Sequence, residues 1–361
     1  MPGATFTTLE SIEHQAAGCE RVGSALYAAL LRGLAADHLA GGMTAELLEG
    51  VSDRPLHDAV PLRFLATGHR LALAGMAPEL AAVYPSCGGA WTGSDITDVF
   101  LSAVATHRGE FVRGLQRSVQ TNEVGRAVAL TAGFCRVAAH HGMPVRTLEV
   151  GASAGLLSRW PSFFYDTGES TAGDPASTVR FGPEWFADGP LPPLQPGIHV
   201  AHRAACDISP IDATSDEGRL TMLSFLWPDQ IERFDRLSAA LAIAAADPVA
   251  VVQADAGQWV SAQLLETPTS SGRCATVVFH SIVWQYMSAE TKDEIRSALH
   301  AAGERATPDR PVGWLRMEPA NADHADLRLT TWTGGSPGGV EELLAQVGYH
   351  GAEVAWAPAT G

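Results

Sequence analysis

Lysine is almost missing from this chain. Lys292 stands alone among 24 basic residues, set against 40 acidic ones, and the formal net charge is −16. The acid is uneven: residues 1–144 carry 13 acidic and 10 basic side chains, residues 145–361 carry 27 and 14. No basic patch is visible in the sequence. A surface of this sign repels phosphate backbones and anionic lipid, so nucleic acid and membrane are expected to be poor partners. Paired cysteines are missing too. Cys19, Cys87, Cys135, Cys206 and Cys274 are odd in number, far apart and without a C-x-x-C, which argues for reduced structural thiols over a disulfide frame or zinc site. His199 and His202 lack a third ligand, so no metal is expected. No run approaches the ~18 apolar residues of a membrane span. The start, Met1-Pro-Gly-Ala-Thr-Phe6, has no basic region leading into an apolar core, and the expectation is a cytoplasmic protein. Internal repeats and low-complexity segments are also lacking. Scarce lysine beside abundant alanine and glycine matches the coding bias of a GC-rich bacterium, a statement about the genome and not the fold.

What the chain does have is core material, 46% hydrophobic residues, over a length that suggests about two domains. From Phe6 to about His140 the apolar spacing is helical, as in Leu26, Leu30 and Leu34, or Ala127, Leu130, Phe134 and Val137. Breaks at Gly41-Gly42, Arg54-Pro55, Ala77-Pro78 and from Pro85 to Gly93 divide this into about seven or eight helices. His140-His-Gly-Met-Pro144 closes the last one with Gly and Pro. Residues 1–143 therefore read as an all-helical domain, expected to serve as the cap for substrate recognition if the candidate site residues bear that out, and residues 144–361 as an α/β domain.

In that second part strands are expected at Thr147 to Val150, Ile198 to Ile208, Val249 to Ala254, Ala275 to Phe279, Val312 to Met317, Leu327 to Trp332 and Ala352 to Trp356. Helices are expected after the first strand, from Ile231 with Asp229 as cap, over Ala256 to Leu265, after Ser288, and around Val340 to Val347. Residues 159–200 read as an irregular insertion, with four prolines between Pro190 and Pro196. Strands alternating with helices predict a mostly parallel sheet covered on both faces. Ligands in such a sheet sit outside the carboxyl ends of the strands. Those ends are Gly151 to Gly155, Asp207, Asp255, His280-Ser281 and Glu318, which should share one rim.

The stretch Arg146-Thr-Leu-Glu-Val-Gly-Ala-Ser-Ala-Gly-Leu-Leu157 is the centre of this plan. Small residues at Gly151, Ala152, Ser153, Ala154 and Gly155 leave room for a ligand near the backbone. One spelling, Glu149-x-Gly151-x-Ser153-x-Gly155, is a nucleotide-binding turn with serine in place of the middle glycine. The other, Gly151-x-Ser153-x-Gly155, is a nucleophile elbow with Ser153 attacking. A tight turn with no ligand stands beside both. Asp207 and Asp255 are candidate cofactor ligands or simple helix caps. Glu149, a carboxylate in an apolar strand, needs a partner. His280 ends an apolar strand where an acid/base group would be well placed, with Glu318 to orient it; the alternative is a buried histidine held by a carbonyl. Asn122, Glu123 and Arg126 open the last helix of the first part. Capping explains the first two, and Arg126 is left to meet an anionic substrate group.

Gln120-Thr-Asn-Glu-Val-Gly-Arg126, Trp227-Pro-Asp-Gln230 and Phe279-His-Ser-Ile-Val-Trp-Gln-Tyr286, together with the glycine turn, resemble a family of uncharacterised bacterial proteins, a domain of unknown function, over nearly the whole chain. That resemblance implies a Rossmann-like, class I methyltransferase-like fold. The wider analogy, with S-adenosylmethionine-dependent methyltransferases, implies S-adenosylmethionine at Glu149, Gly151, Ser153, Gly155, Asp207 and Asp255. About forty residues separate the turn from Asp207, where a compact dinucleotide unit has ~20. The chain also lacks an Asn-Pro-Pro-Tyr type motif, so the expected acceptor is a small molecule of bacterial, including secondary, metabolism. His280 and Glu318 would act on a substrate bound by Asn122, Glu123 and Arg126. Intramolecular displacement or elimination closing a ring, serine hydrolysis at Ser153, and a non-catalytic binding module are the alternatives. A homodimer or partner protein is left open.

Overall fold

The computed structural model describes residues 6–93, 96–186, 194, 197–266, 272–321, 323–334 and 338–357. The four prolines between Pro190 and Pro196 lie outside the described residues. Eight α-helices precede the first strand among those residues: α1 Thr8–Arg21, α2 Ala25–Leu39, α3 Met43–Leu48, α4 Val60–Leu73, α5 Pro78–Val83, α6 Ile96–Thr106, α7 Arg108–Gly114 and α8 Ala127–His141. Then come β1 Val145–Val150, β2 Phe164–Asp166, β3 Thr171–Gly173, β4 Arg180–Phe181, β5 Val200–Asp207, α9 Asp216–Ser224, α10 Ile231–Ala246, β6 Val251–Gln253 and α11 Ala256–Leu265. The chain ends with β7 Ala275–Ser281, α12 Ala289–Glu304, β8 Val312–Pro319, β9 Ala325–Trp332, β10 Val340–Val347 and β11 Ala355–Trp356. No helix of the described residues is long and apolar enough to cross a membrane.

Two compact units result. One is Met1–Thr121 with Ser215–Ser238, the other Asn122–Thr214 with Ala239–Gly361. This division by packing differs from a cut at residue 143, because α8 lies on the sheet and residues 215–238 pack with the early helices.

The first unit is held by local signals and aromatic packing. Thr7 and Glu10 form a reciprocal capping box on α1. Phe64, Phe100 and Phe111 meet pairwise with centroids 5.1–5.5 Å apart, in tilted and edge-on pairs. Asp229 does not cap α10 as the sequence suggests. Its carboxylate instead accepts from Ser24 Oγ at 2.6 Å and Leu26 N at 3.0 Å, so it serves the exposed donors at the start of α2. α9 lies in a stretch to which the sequence pattern assigns no helix; Ser215 caps it, accepting from Gly218 N.

The second unit is built on an eight-stranded sheet of order β11-β10-β9-β8-β7-β1-β5-β6. β6, β5, β1, β7 and β8 are parallel neighbours, while β9, β10 and β11 continue antiparallel. Numbered along the chain, the five parallel strands run 3-2-1-4-5, so the order reverses between β1 and β7. Glu149 lies in register with Ala205 and Phe279, and Phe279 with Leu315. Helices cover both faces. Leu148, Val150, Val278 and Trp314 pack into one cluster with Trp259 and Val260 of α11 and Ile295 and Leu299 of α12. Phe279 and Leu315, alternate residues that point the other way, meet Phe134 and Gly133 of α8.

Three local expectations fail. The glycine turn leads into a 3-10 segment, Leu157–Ser162, and not an α-helix, because Pro161 lies inside it and removes a backbone donor. The insertion after it is not wholly irregular: β3-β2-β4 form a small sheet in which Tyr165 stacks on Phe181 at 5.4 Å. Val340–Val347 is a strand and not a helix. Its ladder with β9, and ion pairs from Glu341 to Arg316 and Arg328 and from Glu342 to Arg136, outweigh the helical propensity of Glu-Glu-Leu-Leu-Ala-Gln.

Candidate functional site

Parallel strands with a common direction bring Gly151, Asp207, Asp255, Ser281 and Glu318 to one rim of the second unit. At its centre the chain turns sharply. Gly151 and Gly155 take φ of +67°, and Ser153 also lies in the left-handed region at 52°. Asp207 fixes this turn: Oδ2 accepts from Ser153 N and Oδ1 from Ser209 N, both at 2.8 Å. Among the described residues each oxygen keeps a further lone pair, and the next residue, Ile208, is 71% exposed. The room expected at Gly151 is already taken. A Cβ there would stand 2.4 Å from Val283 Cγ2, which comes from the segment after β7.

Beneath the turn, Glu149 is buried and accepts from Ser158 Oγ at 2.5 Å. Burial pushes its carboxyl up to about 7, against the pull of the Ser158 hydrogen bond and the Arg159 charge. Arg159 is equally buried, and among the described residues its guanidinium donates only to carbonyls, of Gly155, Asp247 (3.1 Å) and Ala244 (3.5 Å). A pocket of about 480 Å³ opens beside this arginine, between Ala154, the loop 210–214 and residues 248–251. Ser158 and Arg159 were missed in the sequence, although a charge inside the apolar run Leu156 to Trp160 was a signal.

His280 and Glu318 do meet, Nδ1 to Oε1 at 2.6 Å. The rest of the arrangement differs from an acid/base pair. Trp314 Nε1 donates to His280 Nε2 at 3.1 Å, which puts the imidazole proton on Nδ1 and occupies the other lone pair. Trp284 stacks on the ring at 5.2 Å. Glu318 also accepts from Val283 N and Trp284 N, each at 3.2 Å. Histidine and glutamate thus hold the Ile282–Trp284 segment, whose β-branched Ile282 has a φ of 52°.

Asp255 is spent on structure: Oδ1 caps α11 through Gly257 N (2.8 Å) and Gln258 N (3.4 Å), and Oδ2 accepts from Thr291 Oγ1 of α12 at 2.8 Å. Before α8, a 3-10 turn, Val124–Arg126, replaces the expected helix start, and Glu123 caps it through Gly125 N at 3.3 Å. Asn122 Oδ1 accepts from Leu156 N at 2.8 Å and so closes the exit of the glycine turn. Arg126 has the structural task it lacked in sequence. It is buried, Nε donates to Tyr349 O at 3.0 Å, and Nη1 reaches Ser281 O at 3.5 Å. The 348–351 turn lies directly on this segment: a Cβ on Gly351 would be 2.1 Å from the Gly125 carbonyl carbon. Asn122, Arg126, the glycine turn, His280 and Glu318 therefore all belong to one unit.

Among the described residues no group of three or more His, Cys, Asp or Glu side chains could hold a metal ion. The family model for an "Uncharacterized protein conserved in bacteria (DUF2332)" matches residues 9–356, and the chain belongs to that family. No curated protein and no solved structure matches it.

Proposed function

We propose that this member of a bacterial family is a small-molecule transferase of the S-adenosylmethionine-dependent methyltransferase type, its second unit being Rossmann-like. One observation carries the reading: the 3-2-1-4-5 order reverses at β1 and β7, with the glycine turn at that point and an aspartate ending the neighbouring strand. Crevices at such a reversal are where nucleotides bind in open α/β sheets. The nucleoside half fits. Asp207 offers a free lone pair on each oxygen for ribose hydroxyls, and exposed Ile208 offers an apolar surface for a purine. The methionyl half fits only once Val283 leaves Gly151. When bound, the cofactor would supply an electrophilic methyl group. For this chain's own residues, His280 and Glu318 are positioning groups that hold Ile282–Trp284, since the His280 lone pair is engaged. Glu149, with its carboxyl near 7, is the group able to hold or release a proton at neutrality.

Calorimetry with S-adenosylmethionine and its demethylated product is the test. Binding that weakens about tenfold in Ile208→Asp supports the reading, because an isoleucine that is 71% exposed has little buried area to lose. No heat and no thermal protection with either form would sink it. Mass analysis of candidate metabolites then separates gain of a methyl group from displacement of a leaving group, and binding without turnover marks a non-catalytic module. A serine hydrolase retains one supporting observation, the left-handed φ of Ser153, which suits a strained nucleophile turn. Labelling of Ser153 by a fluorophosphonate tests it.

A further inference from the structure

We propose that the pocket beside the glycine turn binds a small metabolite through a carboxylate or phosphate group, with Arg159 as its counter-charge. A buried guanidinium is costly to desolvate and is ordinarily met by a carboxylate. Here, among the described residues, no carboxylate oxygen comes within 4.0 Å of Arg159, and all its hydrogen bonds go to neutral carbonyls. The nearby acids do not complete it. Glu149 is committed to Ser158, and the Asp247 carboxylate is paired with Arg203 at 2.7 Å.

The cation nevertheless lines an opening. The pocket of about 480 Å³ falls in the range of small-ligand sites, much larger than a bare ion needs. Ile211 and Val251 give it apolar walls, which would cover the body of a metabolite whose charged end faces Arg159. At its rim Asp212 accepts from Thr214 N and Oγ1 at 2.9 and 2.6 Å. That carboxylate opposes an anion, and selects against ligands that carry a second negative charge at the rim. The turn itself ties to the pocket, since Ile211 N donates to Ser153 O at 3.1 Å. The site requires no methyl donor, so it stands or falls apart from the methyltransferase reading.

The experiment uses the full chain without cofactor, titrated calorimetrically with acetate, inorganic phosphate and glycerol 3-phosphate. Saturable binding of at least one probe is expected, and comparing them distinguishes a carboxylate from a phosphate source. Ala250→Trp, at an exposed position on the pocket lining, puts bulk into the pocket while leaving residue 159 unchanged, and should weaken binding at least about tenfold. Asp212→Asn keeps the Thr214 hydrogen bonds and removes the rim charge, so affinity should rise about threefold or more, most at low salt. Arg159→Lys, checked for folding by circular dichroism, should lose about tenfold because the planar fork is gone. Absence of saturable binding by all three probes overturns the proposal, as does binding that Ala250→Trp leaves unchanged or that Asp212→Asn weakens.

Discussion

His69 offers the sharpest test of the first unit. Its ring is fully buried in α4, with Nδ1 donating to Leu226 O at 2.9 Å and sharing its proton with Ser224 O at 3.2 Å. Nε2 lies 2.7 Å from Ser86 Oγ and accepts its hydroxyl proton. Burial pulls the imidazole down to about 4 from an ordinary 6.5, although the two carbonyls work the other way. Between those values the unfolded chain binds a proton that the folded chain refuses. The stabilisation is therefore complete above 6.5, falls with pH below it, and is gone near 4. A span of about 2.5 pH units at ~1.4 kcal/mol each is about 3 kcal/mol, with no discount for solvent because the ring is inaccessible.

The perturbation is His69→Gln, which can still accept from Ser86 but does not titrate. Its loss of a carbonyl partner costs about 1 kcal/mol at every pH. Urea unfolding, followed by amide exchange in α4 so that the first unit is read on its own, gives wild type minus variant at pH 7.5 and at pH 4. That advantage should shrink by about 3 kcal/mol on acidification. All other titrations are common to both proteins and cancel. A difference constant to within about 0.5 kcal/mol across this range would refute the reasoning, and would mean that the buried ring accepts a proton as readily as a free one.

Glu149 has the opposite slope: its folded carboxyl, near 7, lies above the ordinary 4.5, so its contribution is present below 4.5 and lost as pH rises through 7. Glu149→Gln should gain about 3 kcal/mol relative to wild type between pH 4 and pH 8 in the second unit, read by exchange in β1. Gly151→Ala should lose about 2 kcal/mol or more in denaturant titration, from the φ of +67° and the contact with Val283. Adding Val283→Ala should restore the steric part only, and additive losses in the double variant would deny the contact. Glu318→Gln leaves the His280 proton or a backbone N–H without an acceptor and should cost about 2–3 kcal/mol, with faster exchange at Val283 and Trp284 as the specific sign.

Where sequence pattern and structure agree, the signal is local. Leu26, Leu30 and Leu34 are all buried on α2, Ser288 caps α12, and Ala256 to Leu265 is a helix with Asp255 at its start. Period and cap chemistry act within a few residues, and nothing distant has to agree with them. The failures share the reverse property. Val340–Val347 has helical composition, and its state is decided by β9 and by arginines more than ten residues away. Asp229 has the right spacing to cap α10, yet the donors it serves belong to a helix some two hundred positions earlier in the chain. Arg126 had no local role because its acceptors, Tyr349 and Ser281, lie far along the chain.

The same distinction decides what the candidate site retains for a ligand. The rim that topology predicts is real, but its polar groups first satisfy the chain's own backbone. Asn122 takes the amide of Leu156, Asp207 those of Ser153 and Ser209, Asp255 those of α11, and Glu318 those of Val283 and Trp284. A tight turn at the end of a buried strand leaves amides that neither helix nor ladder can use, and acceptors at strand ends are the nearest remedy. Residue type at a strand end therefore predicts position better than role. The groups that backbone satisfaction does not exhaust are fewer: the second lone pairs of Asp207, the proton of Glu149, and the charge of Arg159, which its carbonyl partners solvate but do not neutralise. These three lie around one turn, between β1 and β5, and not at His280. Ligand binding of the kind proposed for this rim should therefore fail first when that turn is altered, and only secondarily when the histidine is.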